Sequence, residues 1–207
     1  GLSPEELVSV IGDYDGLMIR SGTQVTAEVI AAASKLKIIG RAGVGVDNVD
    51  VPAATQRGVL VVNSPEGNTI AAAEHALAMM LSLSRHVPQA HAGMRAGKWD
   101  RKKYVGNELY KKTLGVVGLG KIGSHVARVA RAMGMEVIAY DPFIAADRAQ
   151  QMQVRLTELD ELFRTADYVT LHIPRTKDTE NLVNAELLRT MKPTARIVNC
   201  ALSLIHI

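Results

Sequence analysis

Short apolar runs alternate with helical patterns along the first third of the chain. The runs at 16–20, 37–41 and 59–63 predict strands, because each is short, rich in Ile, Val or Leu and bounded by turn-forming residues. Between them, 26–36 and 51–56 carry apolar residues at helical spacing and predict helices. Strands that alternate with helices predict a parallel sheet with helices packed on it.

The second part of the chain repeats this alternation after a long helix. That helix is predicted from Thr69 to near Pro88, and an irregular basic segment follows at 98–104. Further strands are predicted at 114–118, 136–141, 168–173 and 195–200, with helices at 120–133, 158–165 and 184–191. The whole pattern predicts an α/β fold of two domains, divided at 67/68.

Composition and charge exclude several classes of protein. The 207 residues include 24 Lys and Arg against 21 Asp and Glu, so the net charge of +3 gives no reason to expect a nucleic-acid partner. No apolar run is long enough to predict a membrane span, and no spacing of ligands predicts a metal site. The single cysteine, Cys200, excludes a disulfide within the chain and favours a cytoplasmic location.

The motif Gly118-Leu119-Gly120-Lys121-Ile122-Gly123 directly follows a predicted strand and opens a predicted helix. In this context Gly118 permits a tight turn, Gly120 lets the backbone approach a pyrophosphate, and Gly123 allows close helix–strand packing. Asp141 ends the next strand, 18 residues after Gly123, where a carboxylate can bind ribose hydroxyls and repel a 2′-phosphate. The pattern predicts NAD as the cofactor; the alternative is a tight turn with Asp141 as a helix cap.

Two further strand ends carry arginine. The glycine-rich segment 41–48 begins with Arg41, and its backbone N–H groups are candidates for an anion-binding nest. Arg20-Ser21 follows the first predicted strand. An ordinary turn and a solvated surface charge are the alternatives, but arginines at two strand ends favour an anionic substrate.

None of the six histidines has a spacing that predicts a catalytic pair. His75 and His86 are assigned to the long helix as packing or surface residues, and His172 to the interior of a strand. Cys200 is interpreted as a core residue at a strand end and not as a nucleophile.

These motifs resemble the NAD-dependent D-2-hydroxyacid dehydrogenases over residues 2–201. The stretches that carry the resemblance are 19–21, 41–50, 63–69, 97–101, 112–123 and 198–201. Within the family, the chain is most similar to the members that oxidise 3-phosphoglycerate with NAD on the route to serine. The resemblance implies two doubly wound parallel-sheet domains of the Rossmann or flavodoxin-like type, with the active site in the cleft between them.

The resemblance also implies a role for individual positions. The cofactor-binding residues would be Ser64, Gly118, Gly120, Lys121, Ile122, Gly123, Asp141, Cys200 and Ala201. The substrate-binding residues would be Arg20, Ser21, Arg41, Gly43, Val44 and Gly45. The segment 98–104 would lie at a dimer contact, so the family member would be at least a homodimer with a small-molecule substrate.

The end of the chain departs from the family pattern. After Ala201 the family continues with a catalytic Arg and two glycines and later supplies a Glu and a His, whereas residues 202–207 read Leu-Ser-Leu-Ile-His-Ile. We interpret 1–67 as a substrate domain without its first strand, 68–201 as an incomplete NAD-binding domain, and 202–207 as a non-native tail. We therefore expect an internal fragment, with no catalytic residue of its own and no dehydrogenase activity.

Two other functions remain open at this point. The first is a sister dehydrogenase that acts on glyoxylate, hydroxypyruvate or D-lactate. The second is an NAD-sensing corepressor with the same fold, which would bind peptide partners instead of turning over a substrate.

Overall fold

The computed structural model describes residues 2–174 and 176–201. It contains two separate parallel sheets, one in each part of the chain. The chain divides into two units, Gly1–Asn68 and Thr69–Ile207. The predicted non-native tail at 202–207 lies outside the described residues.

The first unit contains a three-stranded sheet with the order β1-β2-β3. Its elements are α1 (Pro4–Val10), β1 (Gly16–Ile19), α2 (Ala27–Ala32), β2 (Ile38–Arg41), α3 (Val51–Gln56) and β3 (Leu60–Asn63), with a short 3-10 turn at Ile11–Asp13. The parallel register aligns Ile19 with Arg41 and Arg41 with Asn63. The last residues of the three strands therefore lie side by side at one edge.

The three helices of the first unit pack on one face of its sheet. Ile19 and Ile39 are buried on this face against Leu7 of α1, Val29 of α2 and Ala54 of α3. The opposite face carries apolar side chains that stay exposed among the described residues: Met18, Ile38, Leu60 and Val62.

The second unit contains a five-stranded parallel sheet with the order β6-β5-β4-β7-β8. Its strands are β4 (Thr113–Val117), β5 (Glu136–Tyr140), β6 (Arg155–Leu156), β7 (Tyr168–Leu171) and β8 (Arg196–Asn199). Its helices are α4 (Thr69–Arg85), α5 (Val87–Arg95), α6 (Lys121–Ala132), α7 (Ala146–Gln151), α8 (Leu159–Thr165) and α9 (Ala185–Arg189), with a 3-10 turn at Arg101–Tyr104.

Helices cover both faces of this second sheet. Leu114 and Val116 of β4 are buried with the apolar residues of α4 and α6, whereas Val117 is buried with those of α8 and α9. Since alternate residues of a strand point to opposite faces, this pattern confirms the doubly wound α/β arrangement.

Four elements lie outside the sequence predictions, apart from the two short 3-10 turns: α1, α5, α7 and β6. Helix α1 could have been predicted from the sequence, because Ser3 and Glu6 form a capping box in which each side chain bonds to the other's backbone N–H. The predicted helix 26–36 was too long. It ends at Ala32, since Ala33 leaves the helical region with a ψ of 72°.

The prediction of one continuous helix through His86 was wrong. His86 adopts a left-handed conformation with φ 53°, and it separates α4 from α5. Pro88 lies in the first turn of α5, where its missing N–H removes no helical hydrogen bond. The proline therefore begins a second helix instead of ending the first.

Candidate functional site

The carboxyl ends of four neighbouring strands form one edge of the second sheet. Asp141, Gly118, His172 and Cys200 are the first residues after β5, β4, β7 and β8, and the register pairs the last residues of these strands. The chain passes from β4 to β5 and β6 on one side, and β7 and β8 lie on the other. The strand order thus reverses beside β4, which is where open α/β sheets bind ligands.

The glycine-rich loop at this edge has the backbone that the sequence predicted. Gly118 has φ +93°, and a Cβ there would lie 2.9 Å from the carbonyl oxygen of His172. A Cβ on Gly123 would overlap the carbonyl oxygen of Gly118, so this helix–strand contact requires glycine. A Cβ on Gly120, by contrast, would meet no protein atom within 4 Å.

The start of α6 has the donors that an anion needs. Ser124 N–H is bonded to the Gly120 carbonyl at 2.9 Å, so the N–H groups before it belong to the first turn of the helix, where the dipole is positive. Lys121 is exposed at this end, whereas Ile122 packs against the core and offers only its backbone.

The carboxylate of Asp141 connects the glycine-rich loop to the end of β5. Its Oδ2 accepts from Leu119 N–H at 2.7 Å, and its Oδ1 accepts from Phe143 N–H at 2.9 Å. Each carboxylate oxygen has about two acceptor sites, so capacity for a further donor remains. Asp141 therefore positions the loop in addition to any contact with a ribose.

His172 is the residue of this edge that the sequence analysis did not assign to a site. It lies one residue beyond β7 and not inside the strand, and its Nε2 is 2.9 Å from the hydroxyl of the buried Thr170. Burial lowers the pKa of His172 from 6.5 to about 4, so the imidazole is neutral at pH 7. Its position directly after a strand, like that of Asp141, was the available signal.

Cys200 and Ala201 lie at the end of β8. Cys200 is partly buried against the core, and this burial raises the pKa of its thiol, as expected for a packing residue. The Ala201 N–H donates to Asn199 Oδ1 at 3.0 Å. Both residues follow the same sheet edge as Gly118, separated from β4 by β7.

The arginines form a second group at the strand ends of the first unit. Arg20 directly follows β1 and is exposed, and Arg41 is the last residue of β2. Ser64 follows β3, and its N–H donates to the Gly43 carbonyl at 3.0 Å. The structure thus places Ser64 with the substrate candidates in the first unit, while the other cofactor candidates lie in the second.

The loop after β2 folds closely around the Arg41 side chain. A Cβ on Gly43 would overlap the guanidinium group, and Arg41 Nε is buried without a hydrogen-bond partner in the described chain. The Gly43 N–H is already bonded to the Arg41 carbonyl at 2.9 Å, so the nest is left to the backbone N–H groups of Val44 and Gly45.

Other features of the described residues point to no additional chemistry at these edges. A cavity of about 510 Å³ lies at the opposite, amino end of the second sheet, beside Lys112, Asp167 and Arg196. Residues 2–174 and 176–201 contain no group of three His, Cys, Asp or Glu side chains able to hold a metal ion. No helix in this part of the chain is long and apolar enough to cross a membrane.

Comparison with known families identifies the second unit. Residues 77–203 match the NAD binding domain of the D-isomer specific 2-hydroxyacid dehydrogenases, which is more than half of the chain. The chain belongs to this family. The match includes the glycine-rich loop, Asp141 and the strand end at Cys200, and it confirms the resemblance read from the sequence.

Individual members of the family are similar over nearly the whole chain. A D-3-phosphoglycerate dehydrogenase from Synechocystis is 64% identical over 201 residues, which are 97% of this chain and 36% of that protein. The chain therefore spans little more than a third of this relative's length.

Solved structures of other members share the fold. The D-lactate dehydrogenase of Escherichia coli matches with a TM-score of 0.88 and 31% identity, over 99% of this chain and 65% of that one. A D-lactate dehydrogenase from Aquifex aeolicus, solved with NAD and lactic acid, matches with a TM-score of 0.85 and 29% identity, over 96% and 60% of the two chains.

The different surroundings of two loop glycines give a test of their roles. Gly120→Ala should change the free energy of unfolding by less than about 1 kcal/mol, because its Cβ meets no protein atom, and it should weaken NAD binding by blocking the backbone. Gly123→Ala should cost roughly 3 kcal/mol or more, because the new methyl group overlaps a backbone carbonyl. Urea denaturation and NAD titration calorimetry measure the two effects.

Gly93→Ala is the matched control for these variants. Gly93 lies in α5, and a Cβ there would make an ordinary contact at 3.8 Å with Tyr104, so both stability and NAD affinity should be preserved. Unchanged NAD affinity in Gly120→Ala would contradict a close approach of the cofactor phosphates to this residue.

The partly buried His172 predicts a loss of stability in acid. Its pKa is lower in the folded chain than in the unfolded chain, so only the unfolded chain takes up a proton as the pH falls from 6.5 towards 4. We therefore expect protonation of this group in the unfolded chain to lower the free energy of unfolding by about 2 kcal/mol between pH 7 and pH 5. Denaturation of His172→Gln at both pH values should show that loss removed.

His75→Gln is the matched control, because it makes the same substitution at an exposed position of α4. An unaltered pH dependence in His172→Gln would mean that His172 titrates normally in the folded chain.

Proposed function

We propose that the full-length protein to which this chain corresponds oxidises 3-phospho-D-glycerate to 3-phosphohydroxypyruvate with NAD, in serine biosynthesis. The observation that carries the proposal is the 64% identity to a D-3-phosphoglycerate dehydrogenase over 97% of the chain. Identity to the D-lactate dehydrogenases is about half of this, at 31% and 29%, which favours the phosphorylated substrate over D-lactate.

NAD fits the residues at the carboxyl edge of the second sheet. The backbone from Gly118 to Gly123 would hold the pyrophosphate at the positive end of α6, where Gly120 leaves room for it. The Asp141 carboxylate would accept the adenosine ribose hydroxyls and disfavour a 2′-phosphate. NAD, when bound, supplies the hydride acceptor for the substrate C2. Cys200, Ala201 and Ser64 are proposed as further cofactor contacts.

An anionic substrate fits the strand ends of the first unit. Arg20, Ser21 and the segment 41–45 combine two guanidinium groups with the backbone N–H groups of Val44 and Gly45. A 2-hydroxy acid with a phosphate group carries two anions, and two arginines can each pair with one of them. An unphosphorylated acid such as glycerate would leave one of these charges unused.

The proposal assigns to this chain no residue that transfers the proton or orients the bound substrate for hydride transfer. In the family an Arg, a Glu and a His perform these roles, and the pattern that carries them follows the position of Ala201. We therefore propose that the 207-residue chain binds ligands but does not turn them over.

We propose a homo-oligomer for the full-length protein, with the segment 98–104 in the contact. Trp99 supports this, because it is 74% exposed and lies with Met94 and Tyr104 beside a shallow cavity of about 200 Å³. Large exposed aromatic side chains are common in protein interfaces. The single cysteine supports our proposal of a cytoplasmic location.

The charge of Asp141 is expected to set the choice between dinucleotides. Asp141→Asn keeps one acceptor oxygen but removes the negative charge, so we expect the ratio of the NADP Kd to the NAD Kd to fall at least roughly tenfold. Titration calorimetry with each dinucleotide measures the ratio. Asp147→Asn in α7 is the control, because it removes an exposed acid outside the site. Equal ratios in both variants would exclude a role for Asp141 in this choice.

Substrate turnover distinguishes the chain from the full-length protein. NADH formation from 3-phosphoglycerate should be measurable with the full-length protein and absent with the 207-residue chain, although the chain should still bind NAD. D-lactate and glycerate should be much poorer substrates. Turnover by the chain itself would overturn the assignment of the catalytic residues, and a preference for D-lactate would overturn the proposed substrate.

A further inference from the structure

Asn48 is a buried polar residue to which the sequence analysis gave no role. Its side chain is 3% exposed, among the apolar residues of the first unit. The side-chain Nδ2 donates to the Arg20 carbonyl at 2.9 Å and to the Thr23 carbonyl at 2.6 Å, which lie 28 and 25 residues away in sequence. Asn48 therefore connects the loop after β2 to the turn after β1.

The orientation of the Asn48 amide follows from its partners. Both partners are carbonyl oxygens, which only accept, so the NH₂ group must face them and the oxygen must point away. That oxygen is buried and has no hydrogen-bond partner in the described chain. Burying an amide with half of its capacity unused is costly, so an apolar residue would suit the core better if stability were the sole requirement.

The turn that Asn48 contacts has little support of its own. Its internal hydrogen bond, from Thr23 N–H to the Arg20 carbonyl, is 3.4 Å long and correspondingly weak. Additional support comes from Val25, whose N–H bonds to the Asn48 carbonyl at 2.8 Å and whose carbonyl accepts from Asp50 N–H at 2.9 Å. The turn after Arg20 thus depends on the segment around Asn48, whereas the residue before Arg20 is also held by the bond from Ala42 N–H to the Ile19 carbonyl at 2.9 Å.

The same segment begins with the other anion-binding candidates. Only two residues separate Asn48 from Gly45, and Arg41 starts the loop. A displacement of this loop would consequently move the Arg20 turn with it. Because the two segments move together, the distance between the two strand ends that carry the guanidinium groups stays fixed. A substrate with two anionic groups at a set distance requires such a spacing.

We propose that Asn48 is a positioning residue that sets the spacing between the Arg20-Ser21 turn and the loop 41–45 for a doubly anionic 2-hydroxy acid. This inference rests on the proposed function, since it assumes that both segments bind the substrate. Asn48 itself touches no ligand; it acts through the backbone carbonyls of Arg20 and Thr23.

The test compares substrate binding with cofactor binding in the same protein. In Asn48→Ala, the Kd for 3-phosphoglycerate should rise about tenfold or more, because a charged hydrogen bond is lost from its optimal position. The Kd for NAD should stay within about twofold, because the candidate NAD loop lies in the other unit. Titration of the 207-residue chain by NMR gives both constants. The decisive quantity is the fold-change in the Kd for 3-phosphoglycerate divided by the fold-change in the Kd for NAD.

A control separates positioning from general stability. Val29→Ala removes buried apolar volume from the same core and should destabilise the first unit without moving the Arg20 turn. All titrations are made at a temperature at which circular dichroism shows each variant folded. If Asn48→Ala does not fold, Asn48→Ser, which keeps one hydroxyl donor, is measured in its place by the same ratio.

The outcomes are distinguishable. Selective loss of 3-phosphoglycerate affinity in the Asn48 variant, but not in Val29→Ala, supports the proposal. Equal affinity in the Asn48 variant and the unchanged chain overturns it, as does an equal loss in Val29→Ala. If the unchanged chain binds NAD but not 3-phosphoglycerate, the proposed substrate site itself is overturned, and the role of Asn48 with it.

Discussion

The carbonyl oxygen of Gly118 lies so close to Gly123 that no side chain fits between the end of β4 and the first turn of α6. This contact places the positive end of the helix directly at the sheet edge. It also directs Leu119 N–H towards Asp141, whose carboxylate connects the loop to β5. The start of α6, the glycine-rich loop and Asp141 are therefore held together, and their arrangement depends on the absence of a Cβ at Gly123.

In the function that we propose, the two units bind an anion by different means. The second unit uses backbone groups, because a helix start and glycines present N–H groups without the entropy cost of ordering long side chains. The first unit uses guanidinium groups at strand ends, and these need to be held in place. Gly43 provides the space for the Arg41 side chain, and Asn48 holds the carbonyl of Arg20. Backbone sites depend on local geometry, whereas side-chain sites depend on contacts between distant segments.

This difference explains how much of the molecule could be predicted from its sequence. Local sequence patterns were enough to predict every strand except β6, and with them the parallel sheets. They also predicted the glycine-rich loop and the position of Asp141 at the end of β5. The short polar helix α7 and the two-residue strand β6 have no apolar period to reveal them. The break at His86 was missed because a left-handed backbone at a non-glycine residue has no signal in the apolar spacing, and Pro88 was interpreted as the end of the helix. Asn48 could not be found, because its partners are 25 and 28 residues away and share no spacing rule with it.

Buried polar atoms without a hydrogen-bond partner occur in both units, but more of them lie in the first. In the second unit, Thr170 contacts His172, and Ser84 contacts Tyr168, which also accepts from Arg196. Thr157 Oγ1, directly after β6, is the exception in the described part of this unit, because it is buried without a partner. In the first unit, Arg41 Nε and Asn48 Oδ1 are buried without a partner in the described residues, and both belong to the segment after β2. A protein tolerates such groups where the surrounding structure holds them for another purpose. Two of the three such atoms in the described residues lie in the segment after β2, which supports the recognition role that we propose for this segment, at some expense in stability.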